Sequence, residues 1–208
     1  MATTITAGNA TNGLAFSADG TGILELKTGT GSGTTAVTIS TAQAVTFAGN
    51  VSGVIKSGTA VASTSGTSID FTGIPSTAKR ITVMFNGVST NGSSKIILQL
   101  GDAGGIETTG YSGSVGFVES SIAATNFSTG FIVEDGTSST AIRRGLMTIN
   151  LFDSLTWVES SNVARSDGAS ICVGAGTKTL SDTLTQLRIT TVNGTDTFDA
   201  GSINILYE

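Results

Sequence analysis

Apolar and polar residues alternate with a period of two along most of the chain. In one run Ile81, Val83 and Phe85 share a side, and in another Met147 and Ile149 do. Two more runs have the same spacing, with apolar positions at Leu187, Ile189, Ile203 and Ile205. Side chains of a β-strand point alternately to its two faces, so this pattern predicts half-buried strands. No segment shows convincing helical spacing.

Short stretches rich in Gly, Asn and Asp separate these runs. They read NGVSTNGSS, GDAGG, EDGTSST, RSDG and VNGTD. These residue types tolerate the positive backbone angles that tight turns demand. Strands of this length joined by such turns predict an all-β fold, either an antiparallel β-sandwich or a jelly roll.

The first 57 residues differ from the rest. Their apolar residues form short bursts, LEL at 24–26, VTI at 37–39 and VTF at 45–47. A segment with so little to bury does not repay its ordering entropy alone, so we expect it to fold against identical copies or another protein. The expected organisation is a small β-rich oligomerisation and attachment segment over 1–57, followed by a β-sandwich over 58–208.

The surface must be mostly uncharged, because charged residues make up only 12% of the chain. The net charge is −5, and the ten basic residues are scattered apart from two adjacent pairs. Nucleic acid is therefore not expected as a partner, since it requires a concentrated basic face. No apolar run approaches the ~20 residues of a membrane span, so no membrane insertion is expected. The N-terminus also lacks the basic and apolar regions of a signal peptide.

The sequence gives little support for catalysis or for a bound cofactor. The chain contains no histidine, which is the commonest general base and metal ligand. The glycine-rich stretch GTGSGT lacks the context of a phosphate-binding loop. We therefore expect no enzymatic activity and no cofactor. A polysaccharide-degrading spike is the enzyme class most worth testing, because a glycosidase needs only two carboxylates.

The acidic turn residues and the single cysteine are both interpreted as structural. Calcium could use the oxygens of acidic turns, and the positions concerned are Asp102, Glu134, Asp135, Asp196 and Asp199. None follows the EF-hand spacing, and Asp in glycine-rich turns is ordinary turn chemistry, so we expect no metal site. The single cysteine, Cys172, lies among apolar neighbours and is expected in the core.

Two aromatic residues could contact a receptor. Tyr111 and Trp157 lie near strand-poor stretches, and flat amphipathic rings stack on sugars or anchor interfaces. The alternative is that Trp157 caps the core at the start of a strand and that Tyr111 packs against a loop. Tyr111 and Trp157 are the candidate receptor-binding residues.

Three stretches resemble virion proteins of tailed bacteriophages. GLAFSADGTGILELKTG (13–29) and AVTISTAQAVTFAGNVSG (36–53) are similar to the repeating texture of tail-fibre shafts and attachment segments. IDFTGIPSTAKRITVMFNGVSTNGSSKIILQLGDAGGIETTGYSGS (69–114) resembles a domain near the C-termini of many fibre proteins. Together they cover roughly half the chain, and from Val115 onwards the similarity is only general.

The resemblance implies a homotrimer on the surface of a virion that is assembled in the host cytoplasm. Residues 1–57 would attach to other virion proteins, and the sandwich would bind host surface polysaccharide. The alternative is a capsid decoration, head-fibre or cement protein with a purely architectural role. The resemblance does not separate tail from head.

Overall fold

A computed structural model describes residues 23–28, 34–42, 44–47, 54–119, 122–134, 138–166 and 169–208. The chain divides into two compact units, Met1–Ser52 and Gly53–Glu208. This division lies slightly before the boundary expected at residue 57. A short strand at Lys56–Ser57 pairs with the last strand of the chain and so belongs to the second unit.

The first unit contains a three-stranded antiparallel sheet in the order β1-β2-β3. Its strands are β1 (Leu24–Thr28), β2 (Thr34–Ile39) and β3 (Val45–Phe47). Each apolar burst of the N-terminal sequence thus forms a strand. Leu26, Val45 and Phe47 are about half exposed, at 46%, 53% and 49%. Within its described residues this unit therefore buries few of its large apolar side chains.

The second unit consists of strands β4 to β17, and its described residues include no helix. Its strands are β4 (Lys56–Ser57), β5 (Val61–Ala62), β6 (Ser68–Thr72), β7 (Arg80–Thr90), β8 (Ile96–Asp102), β9 (Gly105–Ile106), β10 (Tyr111–Val118), β11 (Ile122–Phe127), β12 (Phe131–Ile132), β13 (Arg143–Leu151), β14 (Thr156–Arg165), β15 (Ser170–Thr179), β16 (Gln186–Thr191) and β17 (Phe198–Tyr207). All described strand pairs are antiparallel. In the part of the chain that the structure describes, nothing has the length and apolar character of a membrane-crossing helix.

The strands form two sheets. The larger sheet has the order β11-β10-β15-β14-β13-β7-β17-β4, and β5 also pairs with β17. The smaller sheet has the order β12-β8-β16-β6, and β9 pairs with β8. Side chains from both sheets form a single apolar cluster, which gives a sandwich-like arrangement. The predicted all-β antiparallel fold is confirmed.

The core lies between the two sheets. Phe85 and Ile149 come from the larger sheet and Ile189 from the smaller one, with exposed fractions of 4%, 0% and 0%. All three belong to the same buried cluster, as the alternating pattern predicted. Cys172 is also buried there, as expected.

One predicted turn is partly wrong. NGVSTNGSS was expected to be a turn over 86–94, but β7 continues to Thr90 and only 91–95 connects it to β8. The register of β7 with its neighbours shifts near Gly87, whose φ is +74°, and opposite it near Gly201, whose φ is +89°. A β-bulge accommodates an extra residue and bends the strand without ending it. Glycine at these positions therefore indicates an irregularity within a strand.

The burial of Phe85 gives a test of the sandwich. Phe85→Ala should lower the free energy of unfolding by ~3–5 kcal/mol, because it removes buried contacts and leaves a cavity. Met84→Ala is the matched control, since Met84 is only half-buried on the opposite face of the same strand. Chemical denaturation of both variants measures the difference. A loss below ~1 kcal/mol for Phe85→Ala would mean that the ring is not in the core.

Candidate functional site

A groove of about 540 Å³ lies on the outer face of the smaller sheet. Its floor comes from the side chains of β6, β8 and β16 that point away from the core. Seven of its lining residues carry a hydroxyl: Thr67, Ser68, Thr108, Thr109, Thr129, Thr190 and Thr191. The amides Gln99 and Asn193 and the guanidinium of Arg188 add further polar groups, and the apolar lining is limited to Ile97 and Val192.

A row of paired residues runs from Gln99 and Arg188 in the floor to Asp70, which lies outside the lining. The antiparallel register places Asp70 of β6 beside Arg188 of β16, and Gln99 of β8 on the other side of Arg188. Arg188 donates from Nε and Nη2 to the two carboxylate oxygens of Asp70, both at 2.7 Å. These hydrogen bonds raise the pKa of Arg188. Nη1 takes no part in these two hydrogen bonds.

A hydrogen bond fixes the end of the row that Gln99 forms. Gln99 is 6% exposed, and its Nε2 donates to the Thr129 carbonyl oxygen at 2.8 Å. This bond ties the floor to the loop that carries Thr129, which is itself part of the lining. Because the amide is held by this bond, the middle of the groove has a defined donor and acceptor pattern before any ligand arrives.

Thr108 and Thr109 form one wall, and Tyr111 holds the segment that carries them. The Tyr111 hydroxyl donates to the Glu107 carbonyl oxygen at 2.9 Å and accepts from the Leu100 N–H at 2.7 Å. Tyr111 is 4% exposed, and this burial raises the pKa of its phenol. The phenol is therefore a neutral hydrogen-bonding group that joins the wall to strand β8.

A charged network stabilises the same segment from outside. Burial opposes ionisation of Glu107, but hydrogen bonds from Lys178 and Ser181 hold its pKa below the usual value. The Ser181 N–H and hydroxyl both lie 2.7 Å from Glu107 Oε1. The hydroxyl also lies 2.7 Å from Asp102 Oδ2, and the pKa of Asp102 is lowered chiefly by this contact. The network links the loops that carry Glu107 and Ser181 to the ends of β8 and β15, and its polar groups are engaged with one another.

The opposite end of the groove is a turn centred on Asn193. Its side-chain oxygen accepts from the Thr191 hydroxyl at 2.8 Å, and its Nδ2 donates to Asp196 at 2.6 Å. Asp196 also accepts from the Ser94 N–H at 2.8 Å. These bonds hold the turn against the neighbouring β7–β8 connection, so both ends of the groove are pre-formed.

The groove suits an uncharged polar ligand. Its volume falls within the ~300–1,000 Å³ of small-molecule sites. Hydroxyl and amide groups both donate and accept hydrogen bonds, which complements the hydroxyl groups of a polyol. The described lining contains no aromatic ring and no pair of carboxylates, so it offers hydrogen bonding without a stacking platform.

Neither candidate aromatic residue lines this groove. Tyr111 and Trp157 are 4% and 2% exposed and both belong to the core cluster. The Tyr111 ring meets Phe131 edge-to-face with centroids 5.0 Å apart. Neither ring therefore presents a face to solvent in this structure. Sequence reasoning missed the groove residues, since threonines from several separate segments carry no recognisable motif.

The acidic residues considered for calcium take part in other contacts. Asp102 and Asp196 are engaged as described, Asp199 accepts a hydrogen bond from Ser89, and Glu134 pairs with the buried Arg143 at 2.9 Å. Asp135 lies outside the described residues. Among the residues that the structure describes, no group of three or more potential metal-ligating side chains occurs.

Comparison with known proteins adds no family assignment. No protein-family model matches the chain, and neither the curated proteins nor the solved structures include a match.

A buried carboxyl group lies away from the groove, on strand β14 of the larger sheet. Glu159 on β14 is 1% exposed, and neither of its carboxyl oxygens has a hydrogen-bond partner among the described residues. Burial raises the pKa of Glu159 to about 7. Its cross-strand neighbours are Ile149 and Gly176, which offer it no charged partner. The folded protein therefore holds this carboxyl protonated in mildly acidic solution.

This carboxyl predicts a pH dependence of stability. An unfolded chain releases the proton near the ordinary pKa of 4.5, whereas the folded chain retains it to about pH 7. The unfolding free energy should therefore fall as the pH rises between these two values, by on the order of 3 kcal/mol from this group. Glu159→Gln should remove this part of the slope. Denaturation at several pH values measures it, and Glu119→Gln, at a more exposed carboxylate, is the control.

Proposed function

We propose that this chain is a non-enzymatic structural and adhesive protein that binds a glycan in the groove of its smaller sheet. The observation that carries the proposal is the groove's lining of hydroxyl and amide groups around Arg188, which pairs with Asp70 outside the lining. A glycan offers many hydroxyls, each of which can donate and accept. Loops and sheet rows that are already hydrogen-bonded lose little conformational entropy on binding such a ligand.

Binding is a better interpretation than catalysis. Hydrolysis of a glycosidic bond requires two carboxyl groups on opposite sides of the bond. The described groove offers one carboxylate at its border, Asp70, and Arg188 neutralises it through two hydrogen bonds. The chain also lacks histidine. The described groove can therefore hold a ligand, but its lining supplies no acid or base for hydrolysis.

The resemblance of 13–53 and 69–114 to fibre proteins supports a place on a tailed-phage virion. In this proposal the first unit, residues 1–52, attaches the chain to other virion proteins, three copies form a fibre-type trimer, and the sandwich faces the host surface. The exposed apolar residues of the small N-terminal sheet support the need for a protein partner. The uncharged, threonine-rich surface is compatible with an extracellular position.

An architectural role in a capsid decoration or cement protein is the second candidate. It is favoured by the outer face of the larger sheet, where Ile122, Ile171 and Val173 are 82%, 52% and 51% exposed. Contiguous exposed apolar residues are a common feature of protein contact surfaces. The two candidates differ in the ligand of the smaller sheet, since a cement protein needs no glycan there.

Blocking the groove tests glycan recognition. Thr109→Trp should place a large ring over the floor, and Thr183→Trp, in an exposed loop away from the lining, is the matched control. On a panel of immobilised bacterial surface polysaccharides, binding by Thr109→Trp should weaken about tenfold or more, because several hydrogen bonds are lost together. The control should bind as the unmodified protein does. Equal binding by both variants, or no binding to any polysaccharide, would favour the architectural role.

Removing residues 1–52 tests attachment to the particle. The strands of the second unit pair with one another, so the truncated protein should keep its β-sheet circular dichroism and its cooperative unfolding. It should no longer co-sediment with virions that lack the native protein, whereas the full chain should. Co-sedimentation of the truncated protein would assign attachment to the second unit instead.

A further inference from the structure

The outer face of the larger sheet is uncharged over four adjacent strands. On β10, β11, β14 and β15, the side chains that point away from the core are Ser, Thr, Asn, Ala, Gly, Val and Ile. This set of outward side chains is here called the uncharged face. The chain has ten basic and fifteen acidic residues, and none of them belongs to this set. The ion pair of Arg165 with Glu119, at 3.6 Å, lies only at its rim.

Large apolar side chains are concentrated at one end of the uncharged face. The register aligns Ile122, Val118 and Ile171 directly across three strands, and Val173 follows two residues along. They are 82%, 55%, 52% and 51% exposed in the order Ile122, Val118, Ile171 and Val173. A cluster of this kind is typical of the central part of an interface between identical chains, which is more apolar than the rest of a protein surface.

The rest of the face carries mainly small side chains. Gly116, Ala124 and Ala175 continue the rows beside the apolar cluster, and small side chains let a second surface come close. Four strands about 4.8 Å apart and some eight residues long cover on the order of 500 Å². This is more than half of the ~800 Å² that each partner contributes to an interface of standard size.

The charge distribution indicates which partner fits. Each copy of the chain carries a net charge of −5, so two copies repel each other unless the touching surfaces are free of like charges. When identical copies meet about a symmetry axis that passes through one face, every copy contributes residues from the same set, and a charge placed on that set risks meeting its like. A surface built for an unrelated partner has no such restriction and could carry charges complementary to it.

We propose that the uncharged face is the surface through which copies of this chain associate, with the cluster of Val118, Ile122, Ile171 and Val173 at the centre of the contact. This inference deepens the proposed function, because it names the contact between the copies of the proposed trimer. It does not depend on the glycan groove, which belongs to the other sheet.

The first test adds a charge to the cluster. Val173→Asp should reduce the particle mass of the full chain in light scattering, because each contact would bury an unpaired carboxylate. Val54→Asp is the matched control, since Val54 is 48% exposed and lies outside the face. The control should keep the mass of the unmodified protein. A monomeric mass for the unmodified chain at high concentration would overturn the proposal.

A second test shows whether another copy of the chain covers the uncharged face. It works even where the N-terminal unit also holds copies together. A thiol introduced by Ser160→Cys, within the face, should react with a maleimide about tenfold more slowly than one introduced by Thr72→Cys on the smaller sheet, because covered thiols react poorly. The native Cys172 is 1% exposed and contributes little. Adding Val173→Asp to Ser160→Cys should restore the faster rate.

The remaining outcomes decide against the proposal. Equal rates for the two thiols in an oligomeric sample would show that the copies meet elsewhere. Slow reaction of Ser160→Cys in a sample of monomeric mass would show that another part of the same chain covers the face. Loss of glycan binding alone, with both association results as expected, would count against the proposed function and leave this inference intact.

Discussion

The apolar interior shared by the two sheets is the contact on which the rest of the structure depends. Strand side chains alternate, so burying Ile81, Val83 and Phe85 sends the residues between them outward. The antiparallel register then aligns these outward positions with those of neighbouring strands. The hydroxyl-lined groove and the uncharged face are the two outer surfaces that this single constraint produces, one on each sheet.

Alternation made the strands and their buried faces predictable from the sequence. It correctly placed Phe85, Ile149 and Ile189 in one core, although they lie far apart in the chain. Strand order was not predictable, because the chain specifies which residues face inward but not which strands become neighbours. Bulges were missed for a related reason, since Gly87 has the composition of a turn and only the pairing of β7 shows that the strand continues.

The candidate site could not be predicted from composition. Its threonines come from separate segments of a threonine-rich chain, and only the folded sheet brings them to one surface. The burial of the two aromatic rings, in contrast, could be predicted from their even spacing to apolar residues of the same strand. Tyr111 lies an even number of residues before the apolar Val115, and Trp157 an even number before Val163, so each shares the face of a buried residue. The choice of both as candidate receptor-binding residues rested on the nearby strand-poor stretches and did not use this signal.

The close backbone approach at two glycines limits how the sequence of this protein can evolve. A Cβ atom at Gly113 would overlap the Ala175 carbonyl oxygen, and one at Gly201 would overlap the Gly87 carbonyl oxygen. Backbone atoms cannot move aside as the end of a flexible side chain can. Surface threonines and serines outside the groove can be replaced with little effect on folding, whereas these two positions cannot accept another residue without rebuilding the sheet. Distant relatives should therefore be recognised by the spacing of such glycines, even after the polar surface has diverged completely.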